Sequence, residues 1–265
     1  MGGTDGNGPL AGRVAAVTGA SAGIGRAIAL DLARGRAAVA VNARRAERLE
    51  ALVQEIEGAG GRAVAVAGDA GEASTAVRVL DGAREAFGAD PDLVVVNAGR
   101  GLSGSPITSD REIWESMFRT NVIGAAHLIR EAATRMKEMT SVEGGAWLQK
   151  PRDIVILAST VGKHISPFSS MYGSTKFAIG SIAEAVRREL APEGIRVSQI
   201  SPAIVRSEFQ DVAGYDPEQF GAFMESIGPV LEPEDISRLV SFMVSQPANV
   251  SLNDVVIRGT RQEYP

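Results

Sequence analysis

Cysteine is absent from the 265 residues. The chain therefore has no disulfide, no thiolate metal site and no cysteine nucleophile. Only two histidines occur, His127 and His164. They lie far apart, without carboxylates at ligand spacing, so no metal centre is expected. No apolar run approaches the roughly 18 residues that a membrane span needs. Basic side chains do not predominate: 27 Lys and Arg stand against 32 Asp and Glu, for a net charge of −5. A nucleic-acid partner is accordingly not expected. The missing thiols and missing apolar runs fit a cytoplasmic location.

Hydrophobic residues make up 45% and charged residues 22%, values that support a packed core. Short β-branched runs alternate with helical patterns. Strands are expected at 13–18, 37–42, 62–67, 93–97, 153–158, 195–201 and 254–258. Runs such as Leu93-Val94-Val95-Val96 read as strands covered on both faces. Helices are expected at 25–33, 46–57, 75–87, 113–139 and 170–190. Ser109-Asp110-Arg111-Glu112 has the pattern of a capping box before the fourth. This alternation predicts a doubly wound, Rossmann-like parallel sheet of about seven strands with helices on both faces.

No Pro- or Ser-rich linker divides the chain, so a single domain is expected over 12–265. The Gly-rich stretch 1–11 reads as a flexible tail. Residues 140–152, with Gly144, Gly145 and Trp147, read as a loop, Trp147 serving as a loop anchor or a partner contact. Residues 206–232 are punctuated by glycine and proline and carry Phe209, Phe220, Phe223 and Met224. They read as a lid over a substrate.

Thr18-Gly19-Ala20-Ser21-Ala22-Gly23-Ile24-Gly25 follows the first strand and opens a helix. Glycines allow a tight turn and close approach to a diphosphate, and the helix start offers free N–H groups. Gly19, Ser21, Ala22, Gly23, Ile24 and Gly25 are thus candidate nucleotide-binding residues. An NAD-binding turn usually has an acid about 20 residues on. Here the second strand ends Asn42-Ala43-Arg44-Arg45, with no acid between residues 37 and 46. Arginine forks match phosphate oxygens, although arginines at an exposed helix start are also common.

The spacing Gly-x-x-x-Gly-x-Gly, the later Asn97-Ala98-Gly99 and Tyr172-Gly173-Ser174-Thr175-Lys176 together resemble the classical short-chain dehydrogenase/reductase family. The likeness covers about residues 12–259. It implies NADP(H) in preference to NAD(H), with Asn42, Arg44 and Arg45 at the adenosine end. It also implies that Asp69 and Ala70 meet the adenine and that Asn97, Ala98 and Gly99 border the adenosine ribose. Pro202, Val205 and Ser207 would lie beside the nicotinamide, although Ala203 stands where the family has glycine. A homotetramer or homodimer is implied through the long helices at 113–139 and 170–190.

Tyr172 and Lys176 are four residues apart, one turn along a helix face. A free tyrosine has a pKa of about 10, and a nearby ammonium would lower it. Ser159, 13 residues before Tyr172, ends a buried strand, where such sheets bind ligands. The resemblance adds Asn121 at a helix kink, holding a water that links Lys176 to solvent. The implied reaction interconverts a small-molecule carbonyl and an alcohol by hydride transfer. Ser159 polarises the carbonyl, Tyr172 acts as general acid and base, and Lys176 holds the ribose and tunes Tyr172. A non-redox member of the family (dehydratase, isomerase or epimerase) and a silent NADP(H)-binding regulator are the alternatives. His164 is a candidate for the pocket edge, and His127 reads as a packed helix residue.

Overall fold

The computed structural model describes residues 8–142 and 146–264. The seven apolar runs become strands β1 (Val14–Thr18), β2 (Ala38–Ala43), β3 (Arg62–Ala67), β4 (Leu93–Val96), β5 (Arg152–Leu157), β6 (Ile195–Pro202) and β7 (Asp254–Ile257). They pair in parallel in the order β3-β2-β1-β4-β5-β6-β7. The helices are α1 (Gly23–Arg34), α2 (Ala46–Gly58), α3 (Ala73–Phe87), α4 (Trp114–Phe118), α5 (Ala125–Val142), α6 (Ser170–Leu190), α7 (Phe209–Ala213), α8 (Pro217–Ile227) and α9 (Pro233–Val244).

Alternate side chains of a strand point to opposite faces, and β4 shows the result. Leu93 and Val95 join a core with Ile28 and Leu32 of α1, Leu49 and Leu52 of α2, and Ile236 and Val240 of α9. Val94 and Val96 join a second core with Val79 of α3, Leu128 of α5 and Ile179 of α6. Each face is therefore sealed by three helices, which is why β4 has no polar position. The α9 helix is absent from the sequence reading. Its apolar residues Ile236, Val240, Met243 and Val244 nevertheless follow helical spacing.

The expected helix over 113–139 is broken. A single 3-10 turn (Arg111–Ile113) leads into α4, and a π-helical segment (Arg119–Gly124) separates α4 from α5. Gly124 lies so close to the backbone of Ala70 that an added Cβ would collide with its carbonyl oxygen. The expected capping box does not form. Asp110 caps the turn by accepting from Glu112 N at 3.0 Å, while Ser109 Oγ accepts from Trp114 Nε1 at 3.0 Å. The indole competes for the serine oxygen that the box would need.

Residues 8–11 of the expected flexible tail are folded. Leu10 is buried and its amide donates to Gly35 O at 2.8 Å; residues 1–7 lie outside the described residues. The expected loop over 140–152 is shorter, because α5 runs to Val142 and β5 begins at Arg152. Gly144 and Gly145 lie outside the described residues. Trp147 is a loop anchor, with its ring against Gly194, whose positive φ of 71° brings the backbone under it.

Candidate active site

Strands β2 and β3 continue from β1 in one direction and β4 to β7 in the other. Sheets of this kind bind ligands beyond the carboxyl ends of the strands at that switch point. A cavity of about 870 Å³ opens there. Its wall includes every residue read as cofactor-binding, together with Ser159, Tyr172 and Lys176. Asn121 is buried behind the wall, and His164 is exposed outside it.

The glycine turn is built for close approach. Gly19 and Gly23 have φ of 68° and 52°, values that L side chains adopt at a cost. A Cβ on Gly25 would meet Gly19 O and stand 2.5 Å from Asn97 Nδ2. Asn97 Nδ2 donates to Thr18 O at 2.9 Å, and the amides of Asn97 and Ala98 each donate to Thr18 Oγ1 at 3.1 Å. Asn97 thus fastens the β4 end to the β1 turn. The first turn of α1 has no side-chain cap, so its amides and the positive end of its dipole are available to an anion.

At the ends of β2 and β3, Asn42 is fully buried and donates to Val66 O and Gly68 O at 2.8 and 3.3 Å. Its Oδ1 has no hydrogen-bond partner. Asp69 accepts from Gly71 N at 2.9 Å and shapes the turn that ends in Ala70. Arg45 donates to Ser21 Oγ at 3.0 Å and pairs with Glu208 at 3.2 Å, which also holds Arg48 at 2.8 Å. These bonds hold the Glu208 carboxyl below the usual range. Arg44 is exposed at the cavity edge.

The catalytic candidates converge beyond β5. Ser159 begins a 3-10 turn, accepting from Val161 N, and its hydroxyl lies 3.4 Å from Pro202 O. Ser159 and Tyr172 both line the cavity. Tyr172 packs against Phe209, with ring centroids 5.4 Å apart. Lys176 Nζ lies 5.8 Å from the Tyr172 ring centroid and donates to Leu157 O at 2.8 Å.

The spacing of Tyr172 and Lys176 implies a lowered tyrosine pKa; the structure shows the opposite. Burial holds the Tyr172 hydroxyl above the usual tyrosine range, Ser159 offsets part of that, and the nearby Tyr215 adds to the rise. Burial also lowers Lys176 to about 8. Desolvation thus sets the direction of the shift, and the Lys176 ammonium donates to the Leu157 carbonyl. Asn121 sits in the π-helical segment, donating to Arg100 O and Thr175 Oγ1 at 2.9 and 3.0 Å and accepting from Arg100 N at 2.9 Å. Its side chain braces the kink.

On the β6 side, Val205 is buried in a bridge with Leu231. Ala203 takes no positive φ, so glycine is not needed there. Ser207, expected beside the nicotinamide, places its hydroxyl at the start of α7, accepting from Phe209 N at 3.3 Å. The ends of segment 206–232 are pinned together by Arg206 N to Leu231 O (2.8 Å) and Arg206 to Glu232 (3.0 Å). Phe209, Phe220 and Phe223 line the cavity, whereas Met224 does not. Gly221 lies inside α8 rather than breaking it.

Glu208, Tyr264 and Arg100 are among the cavity residues that escape the sequence reading. Glu208 reaches Arg45 and Arg48 from 160 or more residues away. Tyr264 lines the cavity and hydrogen-bonds to Ile165 O. Arg100 follows Asn97-Ala98-Gly99 directly, and that adjacency is the one signal available in the sequence.

Comparison with known proteins agrees with this geometry. A family model described as short chain dehydrogenase matches residues 13–217. Farnesol dehydrogenase of Aedes aegypti is 34% identical over 260 residues, covering 96% of this chain and 98% of that one. Glycine betaine reductase of Emericella nidulans is 29% identical over 251 residues, 94% of this chain but 19% of that longer protein. An alcohol dehydrogenase from Thermococcus sibiricus, complexed with 5-hydroxy-NADP, superposes with a TM-score of 0.80 at 25% identity, over 96% of this chain and 99% of that one. The 3-ketoacyl-(acyl-carrier-protein) reductase of Brucella melitensis, complexed with NADH, gives 0.83 at 27% identity over 95% and 99%.

Proposed function

Because the chain belongs to the short chain dehydrogenase family, we propose that it interconverts a carbonyl and an alcohol, with NADP(H) preferred over NAD(H). The observation that carries this reading is the convergence of Ser159, Tyr172 and Lys176 on one cavity wall, with Lys176 Nζ 5.8 Å from the Tyr172 ring centroid. The relatives' names, farnesol dehydrogenase and alcohol dehydrogenase, support the alcohol–carbonyl class. A silent regulator has no need of all three groups in one place.

The residues present fit a dinucleotide. The uncapped start of α1 and the space kept by Gly19 and Gly25 would take the diphosphate. Asn42, whose Oδ1 is orphaned, and the turn at Asp69 and Ala70 line the cavity and would meet the adenosine. Pro202, Val205 and Ser207 would border the nicotinamide, and Tyr172 and Lys176 its ribose. When bound, the nicotinamide supplies or accepts hydride. The Ser159 hydroxyl donates to the substrate carbonyl oxygen and polarises it. Tyr172, kept protonated by burial, gives its proton to the same oxygen. Lys176 supports the phenolate left behind, and the kink at Asn121 would hold the water path that reprotonates it. The aromatic wall fits a partly apolar, medium-sized substrate. Pairing of copies through α5 and α6, where Phe177 is exposed, and a cytoplasmic location complete the reading.

Dinucleotide choice rests on Arg44 and Arg45. NADPH is expected to bind at least about tenfold tighter than NADH, a difference of about 1.4 kcal/mol. Replacing both arginines by Ala should remove most of that preference. Titration with each dinucleotide, followed by turnover of a panel of ketones, β-keto esters and keto sugars, tests both claims. Equal affinities in the unmodified protein would sink the NADP assignment. Absence of turnover in either direction would sink the oxidoreductase reading.

Residues 206–232 are proposed as a lid. The α8 helix has no buried residue, so little packing opposes local opening. Its aromatics Phe220 and Phe223 are 6.3 Å apart at the cavity. Amide exchange over 206–232 is expected to slow at least about tenfold on adding NADPH and a substrate analogue. Equal exchange with and without them would show a fixed surface excursion instead.

A further inference from the structure

We infer that Arg100 binds an anionic oxygen group, a carboxylate or a phosphate, at a place in the cavity separate from Arg44. Arg100 lines the cavity and is half-buried. Its main chain is fixed at both ends, because Asn121 accepts from its N–H and donates to its C=O, each at 2.9 Å. Its side chain is aimed by Nη1 donating to Ser116 Oγ at 3.0 Å. The Ser116 hydroxyl itself donates to Ile113 O at 2.9 Å, so its oxygen is oriented to accept. The Nε of Arg100 is buried without a partner.

A guanidinium offers five N–H donors, and burying one unpaired is costly. Of the other arginines in the wall, Arg45 pairs with Glu208 and Arg119 with Glu72, whereas Arg44 is exposed to solvent. Among the described residues Arg100 forms no ion pair with a carboxylate. A held, unneutralised arginine in a cavity wall carries the fork geometry that matches carboxylate and phosphate. Arg44 follows β2 and Arg100 follows β4, with β1 between them. The strands that carry them are about 9–10 Å apart across the sheet.

The neighbours of Arg100 define two sources for the anion. Gly99, before it, borders the turn assigned to the dinucleotide. Gly101, after it, packs so tightly on Phe209 and Ala213 that an added Cβ would stand 2.8 Å from Ala213 Cβ. Leu102 packs with Tyr172. The group is therefore either the dinucleotide diphosphate or an acidic group on the substrate. This inference rests on the oxidoreductase reading of the same cavity, but its test is a binding measurement and needs no turnover.

Calorimetric titration of NADPH into the protein, and of phenylpyruvate and its methyl ester into the NADP+ complex, would be run on the unmodified chain, Arg100→Gln and Arg100→Lys. If the substrate supplies the anion, Arg100→Gln weakens phenylpyruvate at least tenfold and leaves the ester and NADPH within twofold. If the diphosphate supplies it, NADPH weakens at least tenfold. In both cases Arg100→Lys recovers part of the loss. NADPH affinity within twofold in Arg100→Gln, together with phenylpyruvate binding that is absent from the unmodified protein or within twofold in the variant, overturns the inference. A protein that binds these compounds as expected but turns over no ketone overturns the oxidoreductase reading and leaves Arg100 standing.

Discussion

Replacing Tyr172 by Phe is expected to lower turnover by about a thousandfold or more while NADPH affinity and the fold change little. A positioned general acid contributes about 10²- to 10⁴-fold. The phenol is the proton donor in the proposed reaction, and the substitution removes its oxygen alone. The ring remains packed on Phe209, Leu102, Met117 and Val161. Ser159 keeps its contacts with Val161 N and Pro202 O, so no buried group is stranded. The pH dependence carries a second check. Burial holds Tyr172 above the usual tyrosine range, so it stays protonated through neutrality and reduction should not require acid. Lys176 is lowered to about 8. As pH rises through about 8 the ammonium is lost, and with it the support for the phenolate that proton donation leaves. Reduction by the unmodified enzyme should therefore be flat near neutrality and fall above about pH 8. A Phe variant retaining a tenth of the turnover would show that another group supplies the proton.

The sheet was legible because its code is local. Each apolar run, Leu93-Val94-Val95-Val96 most clearly, became a strand within a residue of its expected bounds. The glycine turn, Asn97 and the Tyr172–Lys176 pair converge because the parallel order puts every strand's carboxyl end on one edge. What was not legible depends on contacts between distant segments. The π-helical segment at 119–124 follows from the close approach of Gly124 to Ala70, which no periodicity encodes. Trp114 taking Ser109 Oγ, and Glu208 bridging Arg45 and Arg48, are likewise products of packing. The direction of the Tyr172 shift is not legible in the sequence for a related reason. Sequence spacing supplies the Coulomb partner but not the depth of burial, and here burial dominates.

Replacing Arg196 by Met is expected to cost about 3–5 kcal/mol of stability, the range seen when one member of a buried charge network is removed. Asp92, Arg13, Asp153 and Arg196 form a chain at the amino ends of β4, β1, β5 and β6. Arg13 bonds Asp92 at 2.7 Å and Asp153 at 2.9 Å. Arg196 holds both oxygens of Asp153, at 2.7 and 2.9 Å. Its remaining N–H groups donate to the carbonyls of Val244, Gln246, Pro247 and Val250 at 3.0–3.1 Å. Arg196 therefore both neutralises a buried carboxylate and ties the turn after α9 to the sheet. Methionine fills similar space but supplies no donor. Asp153 would be left sharing Arg13 with Asp92, and the carbonyls of Val244, Gln246 and Val250 would need water, while that of Pro247 keeps the Val250 amide. For a chain of this size the loss corresponds to a drop in Tm of about 6–20 °C. The network sits at the strand ends away from the cavity, about 20 Å for a six-residue strand. Turnover per folded molecule at low temperature should therefore be nearly unchanged. Converting Asp153 to Leu in the same chain removes the stranded carboxylate, so the double variant should be more stable than the sum of the two single losses. Denaturant melts of the four proteins measure each claim. A loss below about 1 kcal/mol in Arg196→Met would show that the carboxylate finds solvent and that the network does not hold the sheet edge together.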